Sequence, residues 1–376
     1  MMETVGFISI CLLALLGIVV LIQLYYMFGV FGKIAFYKPQ PSVKHTTEPV
    51  SVIIAARNEL ENLQKNLVQI LEQDYPDFEV IVVNHCSWDS SQAYLEALQA
   101  QYKHLKVSQL LEQEKYPTGK KFALTIGIKA AKNDLLIFTD ADCVPESKQW
   151  LRNLQSRFTS GKDIVLGFSP YKKHKGLLNL YIRFETLMTA LFYFSAALMG
   201  RAFMGVGRNM AYRKDLFFKH KGFAGHQHIM SGDDDLFVNA AATSNNVAIE
   251  INPESFVYTE PKRNYSAWGR QKTRHMTTGK YYKNKDKRWL GWYYASLMLF
   301  YSLILVLLIM NPALWPVIVG VYTIRFISQE VVLYKAAQKF KCTGILWFIP
   351  LLDVMYVFYL LIFGTKGLFT RNNSNW

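Results

Sequence analysis

Residues 134–143 read DLLIFTDADC. A short apolar run ends abruptly in two carboxylates, Asp140 and Asp142, one residue apart. Two like charges at the end of a buried strand repel each other unless a cation lies between them. Hard carboxylate oxygens suit Mg²⁺ or Mn²⁺, and an ion held by few protein ligands takes the rest from water and substrate phosphates. A lone D-x-D is common in any protein, so its weight depends on its surroundings.

Upstream of this run the texture alternates. Residues 49–56 (PVSVIIAA), 78–83 (FEVIVV), 105–111 (LKVSQLL) and 134–142 read as strands. Between them, residues 59–73 carry Leu60, Leu63, Leu67, Ile70 and Leu71 at helical spacing, and 90–101 and 120–132 also read as helices. Strand and helix in turn predict an α/β fold, a mostly parallel sheet with helices on both faces. Parallel strands are buried on both sides and read as continuous apolar runs, as these do. Ligands of such sheets bind outside the carboxyl ends of the strands, where Asp140 and Asp142 are expected.

The stretch PVSVIIAARNELENLQKNLVQILEQDYPDFEVIVVNHCSWDSS (49–91) resembles the start of a family 2 glycosyltransferase with the GT-A fold. Four more segments fit in order and spacing. They are TGKKFALTIGIKAAKNDLLIFTDADC (118–143), GVGRNMAYRKDLF (205–217), SGDDDLF (231–237) and QKTRH (271–275). The similarity covers roughly residues 48–290 and extends to the membrane-bound members, the polysaccharide synthases for hyaluronan and cellulose among them.

The resemblance implies a nucleotide-diphosphate sugar as donor, inversion at the anomeric carbon, and a divalent metal, Mg or Mn, on Asp140 and Asp142. Inversion needs one base and no covalent intermediate; a carboxylate near the acceptor hydroxyl takes its proton. The cluster Asp233, Asp234, Asp235 offers that base. Setting Asp235-Leu236 on the family's final D-L puts Asp233 at the base position and Gly232 where an acid usually stands; a one-residue shift selects Asp234. On the nucleotide side the resemblance implies Glu59, Asn84, His85, Lys120, Asp140, Gln271 and Arg274. Asn84 and His85 replace two acids of the family loop, and His275 replaces a tryptophan after Gln271 and Arg274.

The composition agrees with such a protein. The chain has 376 residues, 51% of them hydrophobic and 15% aromatic, which excludes a disordered chain. Its net charge of +14 fits an anionic membrane surface or a phosphorylated substrate. The basic stretch 262–288 reads as the flank of a membrane helix. Without a nucleic-acid module, no nucleic-acid partner is expected. Four scattered cysteines suggest no disulfide framework and no metal-ligand spacing.

Residues 5–32 are uncharged and long enough to span a bilayer as an uncleaved anchor. Residues 290–324 read as a hairpin broken at NPALWP (311–316), and 344–364 as a last helix containing only Asp353. The second arm of the hairpin is awkward: either the segment is re-entrant, or a full span buries Arg325 and Glu330, read as a structural pair or as a polar path for a substrate headgroup. The apolar stretch 177–200, with Arg183 and Glu185, reads as an interfacial or pocket-lining helix. The expected organisation is an anchor (1–32), a GT-A domain (48–289), about three membrane helices (290–364) and a tail (365–376). Lys33 and Lys38 place the catalytic domain in the cytoplasm of an integral protein of the plasma or inner membrane. The expected activity is sugar transfer to a membrane-associated lipid or glycan acceptor. The alternatives are a processive polysaccharide synthase and a catalytically silent membrane scaffold.

Overall fold

The computed structural model describes residues 2–39, 47–111, 119–229 and 231–369. The end of the expected tail, beyond 369, lies outside the described residues. Helix α1 (Met2–Leu24) continues through a wider π-type segment (Tyr25–Phe31) into α2 (Gly32–Ala35). Strand and helix then alternate: β1 (Val50–Ala56), α3 (Leu60–Leu71), β2 (Phe78–His85), α4 (Ser91–Gln101), β3 (Leu105–Leu110), α5 (Lys120–Ala130) and β4 (Leu135–Phe138). Next come β5 (Cys143–Pro145), α6 (Trp150–Gln155), β6 (Ile164–Leu166), α7 (Leu177–Leu198), β7 (Met210–Arg213), α8 (Lys214–Lys219), α9 (Asp235–Ala241), β8 (Val247–Ile249) and β9 (Val257–Thr259). The chain continues with α10 (Tyr265–Met276), α11 (Asn284–Met310), α12 (Trp315–Lys339) and α13 (Ile349–Phe369).

Seven strands form one sheet in the order β3-β2-β1-β4-β7-β6-β8. Only β7 runs against the others, antiparallel to β4 and β6. The order turns back between β1 and β4, and that switch point opens a crevice at the strand ends. Side chains alternate across the pleat. Val50, Val52 and Ile54 meet Leu63, Leu67 and Ile70 of α3 on one face. Ile53, Ile81 and Leu136 meet Ala123 and Ile128 of α5 on the other.

This second core does not stop at the sheet. It runs through α7 into α2, α12 and α13. The expected interfacial helix is in fact the buried wall between sheet and membrane bundle: Phe184, Ala190, Leu191 and Phe194 are wholly enclosed.

Four helices are long and apolar enough to cross a membrane: Gly6–Ala35, Asn284–Met310, Pro312–Lys339 and Thr343–Gly367. The second arm of the hairpin is thus a full-length helix, and the expected Arg325–Glu330 pair does not form. Arg325 pairs instead with Asp353 of α13 at 2.9 Å, both side chains 1% exposed. Gln329 receives a bond from Arg325 and donates to Asp353 at 2.8 Å, Gln23 of α1 accepts from Arg325 at 3.3 Å, and Tyr301 of α11 donates to Asp353 at 2.6 Å. All four long helices therefore meet at one polar knot. Glu330, five positions after Arg325, lies nearly opposite on a helix of 3.6 residues per turn, so the arginine reaches a neighbouring helix instead.

Removing one member of such a pair strands the other charge. Arg325→Met should destabilise the protein by about 3–5 kcal/mol, whereas Arg325→Met with Asp353→Leu should recover most of that loss. Thermal unfolding in detergent checks this; a double variant as unstable as the single one would contradict it.

Candidate active site

The site is assembled at the switch point. Strand β4 stops at Phe138, and residues 139–142 turn before β5 pairs with β9. Asp140 and Asp142 project from this turn. Their carboxylate oxygens and the Cys143 sulfur lie within 4.8 Å of one another. Cys143 donates its S–H to Asp142 at 3.2 Å, and burial beside the two aspartates pushes its thiol pKa well up. A protonated thiol is no ligand for a hard ion, so the donor set is two carboxylates, which fits Mg²⁺ or Mn²⁺.

Helix α5 begins after Gly119 and directs Lys120 across the crevice. Its ammonium lies 2.7 Å from Asp140 and 3.2 Å from Asp233. Burial works against its charge, but the two carboxylates outweigh it and hold Lys120 protonated well above the ordinary range. One narrow cleft is lined by Lys120, Thr139, Asp140, Gly207, Asp233 and Asp234, among others.

The aspartates differ in their partners. For Asp233, burial raises the pKa, but Lys120 overcomes it and holds the carboxyl below its usual value. Asp234 caps α9: one oxygen accepts from the Asp235 N–H and the other from the Gly207 N–H, each at 2.8 Å. Burial between the charges of Asp233 and Asp235 pushes Asp234 up to about 7. Asp235 is buried and points away from this pair, accepting from Tyr282 at 2.7 Å and from Thr278. Gly232 has a φ of 95°, and a Cβ there would lie 2.5 Å from Leu236. The turn therefore excludes the acid usual at this position.

The other expected nucleotide residues separate. Glu59 stands just before α3 without capping it, its carboxylate accepting from Asn62 instead; burial and the charges of Asp142 and Asp140 raise its pKa. The β1 turn is stitched to the β2 loop: the Asn58 N–H donates to Ser87, the Trp88 N–H to Asn58 and the Leu60 N–H to Asp89, at 2.9, 2.9 and 3.1 Å. Asn84 is buried within this stitching, donating to Gln92 at 2.9 Å and accepting from Ser87 at 2.6 Å. His85 is buried with its ring against Phe122. Gln271 is half-buried and Arg274 exposed on α10, and among the described residues neither bonds to the site carboxylates. That helix is anchored by the buried pair Lys272–Glu185 to α7. His275 opens onto solvent, yet its enclosed surroundings and the charges of Lys272, Arg274, Arg208 and Lys120 keep it neutral.

Arg208 was not singled out by the sequence reading. Its guanidinium sits 4.6 Å from the centre of the Tyr171 ring and donates to the Ser169 carbonyl at 3.4 Å. Burial opposes its charge, while the carboxylates of Asp142 and Asp140 reinforce it. The signal was its place in GVGRNM, beside the glycine that binds Asp234. Asp140, Asp142, Asp233 and Asp234 outnumber Lys120 and Arg208, so the site as a whole attracts a cation.

A sheet of this order, a D-x-D turn at its switch point and an acidic cluster facing it define the GT-A class of sugar-transferring enzymes. Residues 139–362 match the glycosyl transferase family group 2, and residues 51–220 match glycosyl transferase family 2. The chain belongs to glycosyl transferase family group 2. Glycosyltransferase AglE of Haloferax volcanii is 36% identical over 121 residues, 31% of this chain. The match spans only 38% of that curated relative's length. Among solved structures, mannosyltransferase PcManGT from Pyrobaculum calidifontis, in complex with GDP-Man and Mn²⁺, has the same fold. Its TM-score is 0.57 at 18% identity, over 97% of this chain and 99% of that one. S. aureus TarS 1–349 in complex with UDP-GlcNAc is a looser likeness, with a TM-score of 0.42 at 15% identity over 82% of this chain and 89% of that one.

Proposed function

We propose that this chain transfers a sugar, with inversion, from a nucleotide-diphosphate sugar to a lipid or glycan acceptor held at the membrane. Residues 48–289 form the catalytic domain on the cytoplasmic side, and residues 1–32 and 290–364 anchor it. One observation carries the reading: Lys120 joins the D-x-D turn to the aspartate cluster, so the metal side and the base side share one cleft.

Asp140 and Asp142 would hold a divalent ion. Such an ion, when bound, neutralises charge on the departing diphosphate. Lys120 and Arg208 add fixed positive charge beside it, already in place before the bond breaks. Glu59 and the stitched β1 turn flank the nucleoside, with Gln271 and Arg274 approaching from α10. Asp234, whose pKa lies near neutrality, takes the acceptor proton as the new glycosidic bond forms. Asp233 stays ionised against Lys120 and helps keep Asp234 basic.

His275 favours transfer of one or a few sugars over processive synthesis, because a small polar ring stacks on a sugar more weakly than tryptophan does. The test uses the full chain in nanodiscs with a panel of nucleotide sugars and a membrane lipid extract. Release of nucleoside diphosphate with one donor, lost in EDTA and restored by Mn²⁺ or Mg²⁺, is expected. No release from any donor would favour the silent scaffold, and long polymer under scarce acceptor would favour the synthase.

A further inference from the structure

The third aspartate is not used by this chemistry, yet it is the most heavily bonded of the three. Asp235 is 7% exposed. One oxygen accepts from the Leu236 N–H at 2.7 Å. The other accepts from Tyr282 and Thr278, which are 9% and 2% exposed. Both hydroxyl donors lie in the short elbow that leaves α10 and enters α11, the second of the long apolar helices. The backbone N–H of Thr278 donates to the His275 carbonyl at 3.3 Å, which ties the residue back to α10. A second bond follows the same route one helical turn later: Asn239 of α9 donates to Asp286 of α11 at 3.1 Å and accepts from the Lys283 N–H at 3.1 Å.

An ordinary helix cap does not need these partners, because Asp234 already caps α9. A buried carboxylate is tolerated only when it is hydrogen-bonded, and two of the donors that satisfy Asp235 come from this distant segment. What it fixes is the position of the adjacent Asp234 relative to the element that rises from the membrane.

We infer that Asp235 is a positioning residue: through Thr278 and Tyr282 it holds the base Asp234 in register with the α10–α11 elbow, and thus with an acceptor presented at the membrane surface. The inference rests on the reading of Asp234 as base. Asp235, Thr278 and Tyr282 are not among the residues lining the cleft that Lys120 and Asp140 share, so loss of these bonds should affect the chemical step and leave donor binding intact.

The experiment compares Tyr282→Phe, Thr278→Val and the double variant in the full chain in nanodiscs. A misplacement of about 1 Å costs on the order of 10²-fold, so the double variant should lose about 30–100-fold in kcat. KM for the donor and Mn²⁺ binding by electron paramagnetic resonance should stay within about threefold, the split expected when an interaction acts only on the chemical step. Amide hydrogen exchange of residues 231–237 should quicken in the same variant, a readout that needs no turnover. Should the double variant fail to fold, the Tyr282→Phe single variant carries the same test, because it deletes one oxygen and no volume. Unchanged kcat, or equal losses in donor affinity and kcat, would overturn the inference. Quickened exchange in a protein whose wild type transfers no sugar would leave the tie standing and overturn the enzymatic reading instead.

Discussion

Asp142→Asn should lower sugar transfer by at least about 10³-fold, and excess Mn²⁺ should not restore it. The asparagine keeps the shape and one oxygen but loses the charge. Among the described residues no cation is paired with Asp142, whereas Asp140 is already joined to Lys120 at 2.7 Å. The carboxylate left to meet an incoming ion unshared is therefore Asp142. Asp140→Asn should do less damage, because Lys120 is freed at the same time and remains as a local cation. Metal titration of both variants checks this. An Asp142→Asn enzyme rescued to wild-type rate at high Mn²⁺ would show the ion held elsewhere.

The second large effect is expected at Asp234. Asp234→Asn should reduce kcat by about 10³-fold with donor KM nearly unchanged, because an amide cannot take a proton. The pH profile gives an independent sign. A carboxyl raised to about 7 is protonated below that pH and inactive as a base. kcat/KM should therefore fall about tenfold per pH unit below 7 and level off above it. Asp233→Asn removes one of the two charges that push Asp234 up, so its acid limb should move to lower pH, with a smaller loss of rate. A profile flat from pH 5 to 8 in the wild type, or an Asp233→Asn loss exceeding that of Asp234→Asn, would transfer the role of base to Asp233.

Much of the architecture could be read from the chain because its first half is built from local, repetitive signals. The runs at 49–56, 105–111 and 134–142 contain β1, β3 and β4, the run 78–83 covers all but the last two residues of β2, and the leucines between the first two runs define α3. The second half of the sheet was hidden for a physical reason. β6 and β8 are three residues long, and β7 is held between β4 and β6, partners far away in sequence. Strands that short carry no period of their own.

The site divides the same way. Asp140, Asp142 and the aspartate cluster announced themselves through like charges packed at element ends, and Lys120 through its place in the glycine–lysine segment of the family resemblance. Asn84 and His85 were chosen by loop position, and the fold turns both inward. For Arg208 the one signal, its place in GVGRNM, was weak, because a single arginine in a glycine-rich segment looks like any other. The partners of Arg325 and Asp235 could not be foreseen, since a buried charge shows in sequence that it needs a counter-charge but not which distant helix supplies it.

The knot around Arg325 also bears on how the protein is made. Helices leaving the ribosome enter the bilayer in chain order, and α12 emerges with its arginine before α13 exists. At about 5–20 residues per second, Asp353 follows Arg325 by a few seconds. During that interval a lone guanidinium in the bilayer costs about 3 kcal/mol, enough to hold α12 near the insertion channel or at the lipid surface. Gln23 and Tyr301 are already synthesised and wait in the membrane as provisional partners. Entry of α12 then becomes contingent on the last helix, so a chain interrupted before residue 353 should leave α12 exposed to membrane proteases. Quality control would thereby read completion of the C-terminus from the middle of the bilayer.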